Sequence, residues 1–429
     1  MNLRDRLRSL TGEKETGATA SRQKEGLAEL RKRIEAIMER RPARRTFAPG
    51  RTGRVRGAIE GGEEVANAHG RCIVLSRRIE GSSLHGRRAV REFASMDMKA
   101  AALLANRADL GSLSWQDGLF LDTETTGLAG GTGTVAFLVG LGWFEGEAFE
   151  SRQIFLRDFG DERAALAVLK EYAHGRSFLV SFNGKAFDVG LLSARFIMNR
   201  LGDPLAALPH LDLLHPARRL LGHRLENSRL TTMEERVLGL MRDHDVPGSE
   251  IPQRYFDWLR CGDPLLLRDV FQHNRLDVIS LAALASHLSG ILRPETACGP
   301  SEPGDRLAAA RLLHLRGDRD SAVVTLGSLV RSDCASVRGE ARRHLALILK
   351  KEGRWEEAAG LWEDMIASDP DDRFALEELA KICEHRRRDW QRAADLTEQA
   401  LRSSPPPSPG ERDALQHRLA RLSRLLQRG

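Results

Sequence analysis

An apolar segment ends in acidic residues at positions 119–128, which read LFLDTETTGL. Its run of large apolar side chains predicts a buried β-strand. Because side chains two positions apart leave the same face of a strand, Asp122 and Glu124 are expected to lie side by side. Two ionised carboxylates at this spacing repel each other unless a proton or a cation neutralises them. Mg²⁺ and Mn²⁺ prefer oxygen ligands and suit such a pair, whereas the alternative is an ordinary solvated strand edge.

Two further segments place acidic residues next to apolar ones. Residues 178–188 read FLVSFNGKAFD, which predicts a strand, an Asn-Gly turn and a helix that begins at Asp188. Residues 273–278 read HNRLDV and fall on a long helix, where His273 and Asp277 share one face. Taken singly, Asp188 could serve only to stabilise a helix N-terminus, and the other two could be an ordinary helical pair.

The surrounding segments predict an α/β domain, a mixed sheet flanked by helices. Strands are expected at residues 119–122, 135–144, 149–156, 178–182 and 211–214, and helices at 164–172 and 188–201. The long helix is expected to begin at Pro264, with Asp263 as its N-cap.

The three acidic segments, in this order, resemble the motifs of the DEDD-type (DnaQ-like) exonucleases of the ribonuclease-H-like fold. The resemblance covers about residues 118–290. It implies four carboxylates that hold two ions, Mg²⁺ or Mn²⁺: Asp122, Glu124, Asp188 and Asp277. It implies that His273 is the general base that accepts a proton from the attacking water. It also implies contacts with the terminal nucleotide at Thr125, Gly127 and Leu128.

The position of His273 departs from the family pattern. A histidine usually lies five positions before the last aspartate in this family, and a tyrosine lies four before. Here His273 lies four positions before Asp277. One position rotates a side chain by roughly 100° around a helix, so the metal ligands are better supported than the base.

The activity that the resemblance implies is hydrolysis of DNA or RNA from the 3′ end, with release of nucleoside 5′-monophosphates. Two alternatives stay open: a structure-specific endonuclease of the same fold, and a scaffold that binds nucleic acid without cleaving it.

The positive charge of the chain is concentrated near its N-terminus. Residues 1–60 contain sixteen Lys and Arg against eight Asp and Glu, while the whole chain has a net charge of +6. Such clusters can neutralise phosphates, but taken alone they favour a solvated, partly helical tail kept soluble by its charge. We expect a basic, partly disordered region over residues 1–55, with one helix near residues 27–38, and a small preamble of uncertain fold over residues 56–117.

The sequence repeats itself after the domain expected at residues 118–292 and a linker at 293–306. GRWEEAA at residues 353–359 aligns with RDWQRAA at 388–394, and GDRDSA at 317–322 marks a weaker unit. The pattern resembles tetratricopeptide repeats, so an all-α repeat domain that binds a protein partner is expected at residues 307–429. The combination with the nuclease-like domain resembles the bacterial YprB-type ribonuclease-H-like proteins.

The distribution of cysteines and of apolar runs argues against several classes of protein. Five scattered cysteines argue against a disulfide scaffold and a structural zinc site. The first residues lack a signal-peptide core, and the longest nearly uncharged apolar run, residues 135–144, is half a membrane span, so we expect a cytoplasmic protein. Structural roles are expected for four further reactive side chains: His210, Asp212, His215 and Cys261, the last as a packed thiol.

Overall fold

The computed structural model describes residues 57–127, 133–243, 245–293 and 302–427. Nine strands are formed in this part of the chain: β1 (Gly62–Asn67), β2 (Gly70–Ile79), β3 (Leu84–His85), β4 (Arg88–Ala89), β5 (Gly118–Thr125), β6 (Ala136–Glu145), β7 (Ala148–Phe155), β8 (Phe178–Ser181) and β9 (His210–Asp212). Seven of them form one sheet in the order β1-β2-β7-β6-β5-β8-β9, and β3 pairs with β4.

The sheet is mixed, as the sequence predicts. β5 pairs with β6 in the antiparallel direction and with β8 in the parallel direction, and β8 is parallel to β9. The carboxyl ends of β5 and β8 therefore meet at one edge of the sheet, which brings the first two acidic segments together.

Seven helices accompany the sheet in the described residues: α1 (Met98–Ala105), α2 (Glu162–Ala173), α3 (Asp188–Met198), α4 (Leu214–Leu221), α5 (Leu230–Met233), α6 (Ile251–Cys261) and α7 (Leu265–Leu292). The predicted strands and helices agree with the observed ones to within three residues at each end. A π-helical turn, Glu234–Leu238, follows α5 and ends at Gly239, whose φ of +66° favours glycine.

Successive residues of β5 enter different hydrophobic cores. Phe120 packs in a cluster that includes Val278 of α7, whereas Leu119 and Leu121 belong to a second cluster with Leu166 of α2. Because side chains alternate along a strand, Asp122 and Glu124 face the same side as Phe120, toward α7. The burial pattern of one strand thus aims both carboxylates at the helix that carries the third acidic segment.

Helix α7 is the central helix of the domain. It begins one residue later than predicted, because Pro264 itself is the N-cap, while Asp263 Oδ1 accepts a hydrogen bond from the Leu265 backbone N–H at 3.0 Å. On length and composition α7 is the one described helix able to span a membrane, but 72% of its apolar window is buried inside the protein. The length of uncharged apolar runs does not identify α7, because charged residues interrupt its sequence.

A series of helices follows the sheet domain: α8 (Pro303–Leu315), α9 (Arg319–Leu329), α10 (Ala335–Lys351), α11 (Trp355–Ser368), α12 (Arg373–Ile382), α13 (Trp390–Arg402) and α14 (Pro409–Leu426). Small residues allow neighbouring helices to approach: Ala358, Ala359 and Ala393 are fully buried, and Trp362 is fully buried beside them. The C-terminal region is therefore all-helical, as predicted.

Several predicted features fall outside the described residues. These are the basic region at residues 1–55 with its helix near 27–38, most of the linker at 293–306, and Leu128. The segment at residues 56–117 contributes β1 and β2 to the same sheet as β5. The boundaries between domains stay predictions.

Candidate active site

The acidic residues come from three elements that meet at one edge of the sheet. Asp122 and Glu124 lie near the carboxyl end of β5, Asp188 is the first residue of α3, and Asp277 lies on α7. Segments that are 64 to 155 positions apart in the chain are brought together by the parallel pairing of β5 with β8 and by the packing of α7 on β5.

Three side chains form the tightest group. Ligand atoms of Glu124, His273 and Asp277 all lie within 4.8 Å of one another. His273 Nε2 is 3.9 Å from Glu124 Oε1 and 3.5 Å from Asp277 Oδ2. These side chains are only 11–14% exposed, so the group lies in a sheltered site rather than on an open surface.

Asp122 lies beside this group and is held by Asn274, the residue after His273. Asn274 Nδ2 donates to Asp122 Oδ2 at 2.8 Å, and Asn274 Oδ1 accepts a hydrogen bond from Gln153 Nε2 at 2.9 Å. Asn274 is fully buried and packs over Gly140 of β6, where a Cβ atom would collide with its amide. The glycine therefore permits the close approach of α7 that places Asn274 on Asp122.

The electrostatics of the site reflect crowded negative charge. Burial raises the pKa of Asp122 well above its usual range, and the carboxylates of Asp277, Glu124 and Asp188 raise it further. Burial likewise raises the pKa of Glu124, with added repulsion from Asp277 and Asp188. Protein groups alone leave these carboxylates poorly neutralised, which is the condition that a bound divalent cation relieves.

Asp188 lies at the margin of the site. Its Oδ1 accepts a hydrogen bond from Thr123 Oγ1, the residue between the two carboxylates of β5. Burial raises the pKa of Asp188, and the hydrogen bond from Thr123 opposes that effect. Asp188 is within electrostatic range of Asp122 and Glu124 but outside the tight group.

The turn that leads to Asp188 is held by Asp212 of β9. Asp212 Oδ1 accepts from the backbone N–H of Asn183 at 2.8 Å, and Asp212 Oδ2 accepts from that of Lys185 at 3.0 Å. Asp212 also accepts from the N–H of Leu214 at 3.1 Å. Its carboxylate is thus occupied by backbone donors, in agreement with the structural role predicted for it.

The other side chains for which structural roles are predicted, His210, His215 and Cys261, lie outside the acidic group. His210 Nε2 is 2.7 Å from Ser181 Oγ, and burial lowers the pKa of His210 to about 4. His215 is exposed at the start of α4. The prediction for Cys261 is wrong: its thiol is exposed at the end of α6, because the last turn of that helix faces solvent.

The predicted nucleotide-contacting residues follow β5. Thr125 Oγ1 donates to the Gly127 carbonyl at 2.9 Å, and Thr126 Oγ1 accepts from the Val135 N–H at 3.0 Å. These bonds fix the chain as it leaves the strand beside Glu124. Leu128 is outside the described residues.

His273 points into the acidic group in spite of its unusual spacing. Its Nδ1 lies 2.7 Å from Asp245 Oδ1. Because a carboxylate only accepts hydrogen bonds, this contact favours a proton on Nδ1 and leaves the lone pair of Nε2 toward Glu124 and Asp277. The four-residue spacing places His273 and Asp277 on one face of α7, so it suits this site.

A cation from the protein also enters the group. Arg242 forms an ion pair with Asp277 Oδ1 and a two-pronged ion pair with Glu234, at 2.5 and 2.7 Å. Burial lowers the pKa of Arg242, but the carboxylates of Asp277 and Glu234 outweigh that effect and raise it. Arg242 is therefore a permanent positive charge beside Asp277.

Three residues of the site escaped the sequence analysis: Asn274, Asp245 and Arg242. Asn274 lies inside the quoted HNRLDV segment, and the glycine at position 140 opposite it was a usable signal. Arg242 and Asp245 come from an irregular segment rich in charged residues, where no periodicity indicates which side chains turn inward.

The donor set fits hard divalent cations. Its carboxylate oxygens in a sheltered site suit Mg²⁺ and Mn²⁺, and the group contains no cysteine; the imidazole nitrogen of His273 is not a ligand that Mg²⁺ prefers. One oxygen of Asp277 is bound by Arg242, and the other stays available.

Comparisons with known proteins agree with this geometry. Residues 119–289 match the RNase H superfamily, a span that includes nearly all of β5 and α7 and every acidic residue of the site. The chain is also 36% identical over 310 residues to YprB, an uncharacterized protein of Bacillus subtilis (strain 168). That similarity covers 71% of this chain and 74% of the Bacillus protein.

Proposed function

The chain belongs to the family of Bacillus subtilis YprB and carries a domain of the RNase H superfamily, and on that premise we propose that it is a metal-dependent nuclease of the DEDD type. In this proposal it hydrolyses DNA or RNA from the 3′ end and releases nucleoside 5′-monophosphates.

One observation carries the proposal. Four carboxylates from three elements converge where burial raises the pKa of Asp122, Glu124 and Asp188, and repulsion from the other carboxylates raises the pKa of Asp122 and Glu124 further. A structural cluster would be neutralised by nearby Lys or Arg, but Arg242 is the one arginine or lysine among the described residues that forms an ion pair with any of the four. A site that keeps so much unpaired negative charge is suited to binding cations.

The roles of the ligands are those that the resemblance to the DEDD exonucleases implies. Glu124, Asp277 and Asp122 would hold one ion, and Asp122 together with Asp188 would hold a second. Divalent ions bound there neutralise charge on the attacking and leaving oxygens during an in-line displacement at phosphorus. Asn274 and Thr123 would orient Asp122 and Asp188, because each donates a hydrogen bond to one of their oxygens.

His273 would act as the base. Its Nε2 faces the site, and Asp245 holds the proton on Nδ1, so Nε2 can accept a proton from the attacking water. Thr125 and Gly127, which border Glu124, would contact the terminal nucleotide.

The direct test is hydrolysis of end-labelled single- and double-stranded DNA and RNA by the purified protein, with Mn²⁺, with Mg²⁺ and with EDTA. The proposal predicts cleavage that requires the metal and stops with EDTA. Hydrolysis that persists in EDTA would contradict the metal mechanism.

A 5′-labelled oligonucleotide distinguishes the alternatives. A ladder that shortens progressively from the 3′ end supports an exonuclease, whereas one internal product supports an endonuclease. Binding without cleavage of any substrate supports a scaffold.

The C-terminal helices fit a tetratricopeptide-like arrangement that binds a protein partner. Trp355 and Trp390, 35 positions apart, each begin a helix, and Pro370 and Pro405 follow the ends of those helices. The identity of the repeat and its partner, the cytoplasmic location, and a contribution of the basic N-terminal region to binding nucleic acid are parts of the proposal.

A further inference from the structure

We infer that Arg242 is a positioning residue that sets the orientation of Asp277 for metal-dependent catalysis, and that Glu234 anchors Arg242 in that task. This inference rests on the proposed nuclease function. It concerns a residue that neither the acidic motifs nor the family resemblance identifies.

All three nitrogens of the Arg242 guanidinium are engaged. Nε lies 2.7 Å from Glu234 Oε2, and Nη2 contacts both Glu234 Oε1 and Asp277 Oδ1. Nη1 donates to Asp245 Oδ1 at 3.5 Å, and it lies 3.2 Å from His273 Nδ1, whose proton points to the same carboxylate. A planar fork can serve these partners together, whereas the single ammonium of a lysine cannot.

The Glu234 side chain is held in place by burial and by a further hydrogen bond. Its side chain is 1% exposed, and Ser280 Oγ donates a hydrogen bond to Oε1. Since the Ser280 hydroxyl proton is used in that bond, His85 Nε2, 2.8 Å from Ser280 Oγ, is the donor to Ser280. Burial lowers the pKa of His85 to about 4, so this buried histidine stays neutral. A chain of hydrogen bonds thus runs from β3 to the acidic group.

The contact with Arg242 gives the two carboxylate oxygens of Asp277 different surroundings. Arg242 occupies Oδ1, and Oδ2 is left facing His273 Nε2 at 3.5 Å. Without the guanidinium, the Asp277 carboxylate could rotate and offer either oxygen or both to a cation. Partners that orient a metal ligand in this way typically change activity by about 10- to 100-fold when they are removed.

Because Arg242 is positively charged, its removal should affect Mn²⁺ binding and turnover differently. A positive group beside the site repels a divalent cation, so Arg242→Gln should not weaken Mn²⁺ binding. It should nevertheless lower turnover at saturating Mn²⁺ by about 10- to 100-fold, because Asp277 is no longer oriented. A variant that fails to fold would instead lose Mn²⁺ binding and turnover together.

The experiment compares three measurements: turnover on a labelled oligonucleotide, the Mn²⁺ dissociation constant by isothermal titration, and the Tm. Arg242→Lys keeps the charge without the fork and should recover only part of the turnover. Because Arg242→Gln leaves Glu234 buried and unpaired, the double variant Arg242→Gln/Glu234→Gln removes both charges and protects the fold. It should show the same loss of turnover with unchanged or tighter Mn²⁺ binding.

An ion pair between an exposed arginine and a buried aspartate, outside the site, supplies the control. Arg224 binds Asp305 through two hydrogen bonds of 2.8 and 2.9 Å, and the Asp305 side chain is 2% exposed. Arg224→Gln/Asp305→Asn should keep wild-type turnover.

The outcomes separate this inference from the function it rests on. Absence of Mn²⁺-dependent hydrolysis by the wild-type protein overturns the nuclease proposal. With an active wild type, turnover of the double variant within threefold of wild type overturns the role of Arg242. An equal loss of turnover and Mn²⁺ affinity also overturns it, because Arg242 would then maintain the metal site as a whole.

Discussion

Asn274 and Asp122 are 152 positions apart in the chain, and the Asn274 amide donates a 2.8 Å hydrogen bond to the Asp122 carboxylate. The other end of the same amide accepts from Gln153 of β7. Helix α7 therefore contributes the Asp277 carboxylate and the His273 imidazole to the site. Asn274, the residue after His273, orients the Asp122 carboxylate of β5.

Replacing Asn274 should affect both stability and activity. Asn274→Ala removes the amide that donates to Asp122 and accepts from Gln153, whose Nε2 keeps its bond to the Phe271 carbonyl, and the buried Asp122 carboxylate left without this donor costs about 1–3 kcal/mol of unfolding free energy. Turnover should fall about tenfold or more, because Asp122 loses its orienting hydrogen bond. Urea unfolding and oligonucleotide hydrolysis measure the two effects, and wild-type values for both would show that the amide is dispensable.

The carboxylates themselves should be essential. Asp122→Asn and Asp277→Asn are each expected to reduce Mn²⁺-dependent hydrolysis at least 100-fold, since each removes a charged ligand while nearly keeping the side-chain shape. Asp269→Asn is the matched control, because Asp269 lies two turns earlier on α7 and pairs with Arg254 at 3.1 Å outside the site. A similar loss in the control would point to damage to α7 rather than to the site.

The sheet domain could be predicted from sequence because its signals are local. β5, β6 and β8 are apolar runs bounded by polar turns, and most of their residues are buried, as expected for strands covered on both faces. The acidic residues stood out because Asp122 and Glu124 follow such a run, where charge is unexpected.

The partners of the carboxylates could not be predicted in the same way. Arg242 reaches Asp277 from a segment that follows a π-helical turn, and its direction depends on Glu234 and Gly239. Asp245 contacts His273 from the same segment. Their inward orientation is a property of tertiary packing, which hydrophobic periodicity does not encode.

The raised pKa of Glu124 predicts how metal-free stability depends on pH. A carboxyl group whose pKa is higher in the folded state destabilises the fold once it ionises, so stability is greatest below its ordinary pKa and falls as pH rises through the raised value. Glu124→Gln removes this ionisation. In EDTA, its Tm should match that of the wild type near pH 4.5 and exceed it by a few degrees at pH 8, at about 2–4 °C per kcal/mol.

Mn²⁺ provides the internal control for that measurement. At pH 8 the cation should raise the Tm of the wild type more than that of Glu124→Gln, because the variant lacks one ligand charge. A Tm difference in EDTA that does not grow with pH would show that Glu124 is not strained by its neighbours.

His273 and Asp245 should act as a pair. His273→Ala is expected to lower turnover by roughly 100-fold, the usual scale for loss of a general base, while the Mn²⁺ dissociation constant stays within threefold of wild type. Asp245→Asn should have a smaller effect of about tenfold, because His273 stays in place while the acceptor 2.7 Å from Nδ1 changes from a charged carboxylate to a neutral amide oxygen. Combining the two changes should cost little more than His273→Ala alone, since the 2.7 Å contact of Asp245 with His273 is shorter than its 3.5 Å contact with Arg242. If His273→Ala instead weakens Mn²⁺ binding as strongly as Asp277→Asn does, the imidazole that lies within 4.8 Å of Glu124 and Asp277 is a metal ligand and the base must be sought elsewhere.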